Sequence, residues 1–116
     1  MSSTIKVQSE FVLFPAQAVS SDINTDGVRL DIREGYSIQA VWSGGSGFTG
    51  IFTLEASNDN VNFAPIPGSG VFVNGVTGNH IYDVGDFHYR FGRVSLDVTA
   101  GSVSNMEIKV VVRSRE

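Results

Sequence analysis

The chain has 116 residues, 41% of them hydrophobic, with eight Phe, three Tyr, one Trp and no cysteine. That length fits one domain over residues 1–116, since a second core would leave each half too small to stabilise itself, and the missing cysteines exclude thiolate metal sites, thiol nucleophiles and disulfide staples. The formal net charge of −4 offers no basic stripe for phosphate neutralisation, with Arg113 and Arg115 not enough to change that, so nucleic acid is not the expected ligand.

The N-terminal stretch M-S-S-T-I-K-V-Q-S-E has no continuous apolar core of a signal peptide, and no segment approaches the ~20 apolar residues of a membrane span. The expectation is a chain made in a cytoplasm, without a signal peptide and away from membranes. Charged residues make up 17%, below the roughly 25% of an average soluble domain. A surface so weakly charged suits partial cover by a partner.

Residues 4–14 place Ile5, Val7, Phe11 and Leu13 in one parity, interrupted at Ser9, and predict a first strand that Pro15 ends by its missing amide and fixed φ. The polar stretch A-Q-A-V-S-S-D-I-N-T-D-G reads as a loop. Val28, Leu30 and Ile32 restart the alternation, and Glu34-Gly35 turns the chain into the run Tyr36, Ile38, Ala40, Trp42. A glycine-rich bend at 44–50 then leads to Phe52, Leu54 and Ala56, an Asn58-Asp59-Asn60 tip, and a short return strand from Phe63 to Ile66 stopped by Pro67-Gly68. This whole segment is expected to be a hairpin with a solvent-exposed end.

Beyond it, residues 68–78 form a glycine-rich excursion with a brief strand at Val71 to Val73, and His80 to Val84 is the next strand. Tyr89 and Phe91 differ in parity from Val94, Leu96 and Val98, which predicts a β-bulge at Gly92. Ala100-Gly101-Ser102 is expected to turn the chain into a closing strand at Met106, Ile108, Val110 and Val112. About eight short strands, turns at roughly 8- to 12-residue spacing and no helical period give an all-β fold, a single antiparallel β-sandwich.

Chemistry-bearing patterns are few. Asp22, Asn24 and Asp26 followed by Gly27 match the first half of a calcium loop, with oxygen ligands at alternate positions before a glycine. Arg33 stands where the bidentate glutamate belongs, and Glu34 comes one residue late. The competing reading is a polar turn with Gly27 at positive φ. His80 and His88 are the two histidines; on a strand His80 and Asp83 point to opposite faces, so the histidines are expected at the surface or facing a partner. No nucleophile elbow and no phosphate-cradling glycine loop is present, and no enzymatic activity or cofactor is expected. Trp42, Phe48, Phe63, Phe72 and Phe87 could each stack on a sugar ring. Trp42 ends a core face, whereas Phe48 and Phe72 lie in glycine-rich loops and are the aromatics expected to be exposed for contact.

The succession T-D-G-V-R-L-D-I-R-E-G-Y-S-I-Q-A-V-W, then G-I-F-T-L-E-A-S-N-D-N-V-N-F-A-P-I, then Y-R-F-G-R-V, resembles small virion structural proteins of tailed bacteriophages across roughly residues 24–112. In that group a D-G-V-x-L loop, a Ser-Asn-Asp-x-x-x-aromatic hairpin and a Tyr-Arg-x-x-Arg-Val strand follow one another; here Asn60 replaces the usual glycine and Phe63 a common tryptophan. A similar hairpin occurs in discoidin-like and carbohydrate-binding sandwiches. The resemblance implies a jelly-roll or discoidin-like sandwich acting in the virion as a capsid decoration, head-fibre or accessory protein. Its partners would be the major capsid protein or other virion proteins, met as a homo-oligomer or lattice contact. The alternative it leaves open is a lectin-like receptor-binding module in which Phe48, Asn58, Asp59, Asn60 and Phe72 face a glycan.

Overall fold

The computed structural model describes residues 6–30, 35–84 and 89–115. Among these residues nine strands follow in chain order: β1 (Lys6–Val19), β2 (Ile23–Asn24), β3 (Val28–Arg29), β4 (Gly35–Ser43), β5 (Ser46–Ser57), β6 (Ala64–Pro65), β7 (Val71–Asn74), β8 (Gly78–Val84) and β9 (Phe91–Arg115). They form one antiparallel sheet curled as a half-barrel, with no helix among the described residues. The all-β class expected from the alternation is what the chain adopts. Its layers are two limbs of a single sheet, joined through β9.

β9 runs for 25 residues and is central in both limbs. Its first part lies between β5 on one side and β2 and β3 on the other, from Ser57 opposite Phe91 to Gly50 opposite Val98. Its second part lies between β1 and β4, so that Val110 is flanked by Phe11 and Ile38. β8 extends the second limb beyond β4, while β6 and β7 extend the first beyond β5. Ala100-Gly101-Ser102 is thus a bend inside one strand, correcting the expected turn. Gly101 has φ 68°, and a Cβ there would overlap Ser46 O and Gly47. The glycine lets β9 cross from limb to limb with the start of β5 pressed against it.

The core is what the alternation selects. Tyr36, Ile38, Ala40 and Trp42 on β4 face Phe48, Phe52 and Leu54 on β5, and Val94, Leu96, Met106, Ile108, Val110 and Val112 of β9 line the same interior. Each aliphatic side chain so buried contributes about 1.5–3 kcal/mol relative to exposure. The Trp42 ring meets Phe48 edge-on at 6.0 Å and Phe52 at 6.1 Å between centroids.

Several local expectations change. β4 and β5 are not a hairpin: each pairs with β9 in its own limb, and residues 44–45 carry the chain across the interior as an arch, Gly44 at φ 68°. Pro15 does not end β1, which continues to Val19. Proline is tolerated because it falls in the register shift between Phe14 and Gln17, at a sheet edge where no described strand needs its amide. Gly92 is no bulge, since the β5–β9 register is unshifted there; the irregularity lies near Thr49 and Gly50 instead. Phe91 and Arg93 simply belong to the outer face, opposite Ser57 and Glu55.

Candidate functional site

The three stretches that carry the phage resemblance converge at one end of the β5 limb. At its centre is Ser57, buried as β5 ends. Its Oγ accepts the amides of Asp59 at 3.1 Å and Asn60 at 3.0 Å and donates to Asp59 Oδ1 at 2.7 Å. Asp59 Oδ1 then accepts the amides of Val61 at 2.9 Å and Asn62 at 2.8 Å, and Oδ2 takes the Asn62 side-chain amide at 2.8 Å. Side-chain oxygens thereby satisfy the four consecutive amides of residues 59–62, which is why this residue set forms a tip without a strand partner.

The donated bonds, led by the Asn62 amide and then the Ser57 hydroxyl, hold the Asp59 carboxyl well below the usual carboxylate range. Asn60 takes the left-handed conformation at φ 60°, tolerated by asparagine where glycine would be usual. Asn58 Oδ1 accepts the Arg90 amide at 3.1 Å, tying the tip to the Tyr89–Val94 stretch.

Arg93 locks the other side. Its Nε donates to Glu55 Oε1 at 2.7 Å and its guanidinium lies 4.1 Å from the Phe63 ring centroid. Gly27 completes the junction: a Cβ there would overlap Asn60 Oδ1 and come within 2.8 Å of the Phe63 ring. Close approach, not positive φ, is therefore what requires glycine at position 27, a correction to the turn reading. The D-G-V, S-N-D and Y-R-x-x-R-V stretches interlock here, 30 to 70 residues apart in the chain by their numbering. The polar atoms of Asn58, Asp59 and Asn60 serve this junction, although all three residues are exposed.

The calcium-loop candidates do a different job. Asp22, Asn24 and Asp26 lie on an extended segment along β9, where Asn24 pairs with Ser95 and Asp22 Oδ1 accepts the Val98 amide at 2.7 Å. Between them the buried Thr25 donates its amide to Val94 O at 2.9 Å and accepts the Val94 amide on Oγ1 at 3.0 Å. An extended edge strand separates alternate residues instead of closing them round a cation. Among the described residues no group of three or more His, Asp or Glu is placed to hold a metal ion. Arg33, Glu34, Asp86, Phe87 and His88 lie outside the described residues.

The aromatics divide. Phe48 is 2% exposed and belongs to the core, because the bend expected around it is the beginning of β5; its expected contact role is corrected accordingly. Phe72 is 60% exposed and stands directly opposite Ile51 on the outer face of the β5 limb, with Ile51 between it and Asp97 of β9. Thr49, whose hydroxyl shares a 2.7 Å hydrogen bond with that of Thr99, and Asn74 form the adjacent row.

His80 is half-buried, with its ring edge-on to Tyr82 at 4.6 Å. The Tyr82 hydroxyl donates to Ser69 O at 2.7 Å, and burial pushes its pKa up to about 12. This bond joins the two limbs on the β8 side. Ser69 Oγ in turn accepts the Leu54 amide at 3.1 Å. Neither Thr25 nor Ser69 stands out in the sequence, because a single hydroxyl replacing a ladder bond has no local pattern; Ser57, two residues before an aspartate at a strand end, has one.

No protein-family model matches the chain, and no curated protein matches it. Among solved structures, the crystal structure of YomS, an SPBc2 prophage-derived protein, matches with a TM-score of 0.61 at 14% sequence identity, covering 98% of this chain and 99% of YomS. At that identity the likeness is one of fold. FlhE matches at a TM-score of 0.40 with 9% identity, over 99% of this chain and 100% of its own.

Proposed function

We propose that the chain is a non-enzymatic structural protein of a tailed-phage virion, most simply a capsid decoration or accessory protein that docks through its loops and strand edges. The observation carrying this reading is the end-to-end correspondence with YomS, a protein of prophage origin. Neither chain has a large unmatched portion, so the shared unit is the whole fold and not a common sub-structure. The interlocked tip supports it too: the residues that resemble phage virion proteins are used to build the domain, leaving lateral faces and edges for assembly.

The site of action in this reading is the virion, after synthesis in the host cytoplasm, and the partners are the major capsid protein or other virion proteins. An add-back experiment tests it. Purified chain is mixed with particles lacking it and run on a density gradient; saturable co-sedimentation is expected, and failure to bind at any concentration overturns the docking role.

A second reading draws on Phe72. An exposed aromatic beside Ile51, with Thr49 and Asn74 in the next row and Asp97 across Ile51, offers a flat face with hydroxyl, amide and carboxylate groups of the kind that holds a sugar ring. In a receptor-binding module, saccharide binding would be lost on Phe72→Ala. A glycan array with the wild-type chain showing no binding removes that reading.

A further inference from the structure

Sheet edges expose unpaired amides and carbonyls, and natural sheets defend them with proline, lysine, bulges or very short strands. The edges of this sheet differ sharply in that respect. β1 contains Pro15 and three register shifts, β6 is two residues long and contains Pro65, β2 and β3 have two residues each, and β7 has four. β8 has none of these defences. Its seven residues, G-N-H-I-Y-D-V, pair with β4 in an unbroken register from Trp42–Gly78 to Tyr36–Val84. Among the described residues no strand lies on its other side.

We propose that β8 is a self-pairing edge, which joins antiparallel to β8 of a second copy about a twofold axis at Ile81 and makes one continuous sheet of the two molecules. This inference rests on the assembly reading above and names the surface that assembly would use. The register follows from the sequence. A twofold perpendicular to the sheet must keep inward residues opposite inward ones, so it can pass only through a residue.

Centred on Ile81, it pairs all seven positions. Ile81, 53% exposed on the outer face, meets its own copy; Asn79 meets Asp83, an amide donor against a carboxylate; and on the inner face His80 meets Tyr82, extending the edge-on contact already present within the strand. Other centres are worse. Centring on Tyr82 sets Ile81 against Asp83, and centring on Asp83 opposes two carboxylates, which destabilises a strand pair. A second copy fits better than an unrelated strand because this stretch is complementary to itself in the register that uses its whole length. Seven residues give a small interface, so the dimer should be concentration-dependent, in roughly the micromolar range.

The cysteine-free background makes a direct test possible. Under mild oxidation Ile81→Cys should cross-link to a disulfide dimer, whereas Asp83→Cys should not, because the two copies of position 83 stand about 14 Å apart at ~3.4 Å per residue, well beyond disulfide reach. Sedimentation equilibrium of the wild-type chain should show dimer, and Ile81→Lys, which opposes two ammonium groups at the axis, should reduce its association at least tenfold, with an unchanged melting temperature when both are compared at dilutions that leave them monomeric. A wild-type chain that stays monomeric up to several hundred micromolar (a range set by the micromolar expectation above), or equal cross-linking at positions 81 and 83, overturns the inference. A monomer that still binds particles overturns it alone, whereas a dimer absent from particles supports it and counts against the virion reading.

Discussion

Removing Arg93 should uncouple the tip from the sheet, and the size of the effect follows from its two contacts. The Nε–Oε1 bond to Glu55 is 2.7 Å between side chains only 24% and 16% exposed, so it should exceed the ~0.2–1 kcal/mol typical of fully exposed pairs. The stacking on Phe63 at 4.1 Å adds about 0.5–1 kcal/mol, the usual value for a cation over a ring at a partly wet site. Arg93→Ala is therefore expected to cost about 2 kcal/mol. For a chain of this size about 1 kcal/mol corresponds to ~4 °C, giving a fall of ~8 °C in melting temperature.

A double-mutant cycle with Phe63→Leu, followed by urea unfolding, isolates the ring contact and should return a coupling of about 0.7 kcal/mol. Arg93→Lys should recover part of the Glu55 contact and little of the coupling, because an ammonium lacks the planar face that lies on the ring. A coupling below about 0.2 kcal/mol, with Arg93→Ala as stable as wild type, would refute the reasoning that this triad fastens the tip.

Other consequences are equally concrete. Phe48→Ala should destabilise by about 3–5 kcal/mol as a core cavity, while Phe72→Ala should stay within about 0.5 kcal/mol; similar melting curves for the two variants would contradict their placement. Gly78→Ala should lose about 1–3 kcal/mol by overpacking, since its methyl would come to 2.5 Å from the Trp42 ring, and the shift should appear in tryptophan fluorescence. The depressed Asp59 carboxyl fixes a sign with pH: its folded pKa lies below the unfolded value near ~3.9, so its stabilisation is complete above that pH and is lost as pH falls through the folded pKa. Asp59→Asn should therefore melt lower than wild type at neutral pH, with the gap closing in acid below pH ~4; a gap independent of pH would show that the charge is not what matters.

The residues that alternate were legible in sequence. Tyr36 through Trp42, Phe52 and Leu54, and Met106 through Val112 all lie where the period of two puts them, because burial on one face is a local property of a strand. What was not legible is which strands meet. The glycines at 44 and 101 each give a positive φ, and such a residue can serve a hairpin turn, an arch between layers or a bend within one strand; long-range pairing decides among these. The same limit applied at the candidate site. Phe48 among four glycines reads as a loop aromatic until the start of β5 draws it into the core, and Gly27 reads as a turn glycine until Asn60 and Phe63 arrive from more than 30 residues away by their numbering. Polar junctions built from single hydroxyls, such as Thr25 against Val94, leave no periodic trace at all.

The proposed virion role is tested by the copy number of this chain in purified virus particles from its source, by quantitative mass spectrometry against the major capsid protein. A decoration role gives many copies, at a fixed ratio of about one per capsid subunit or per lattice axis, since repeated subunits favour closed symmetry. Absence of the chain from washed, infectious particles would contradict it.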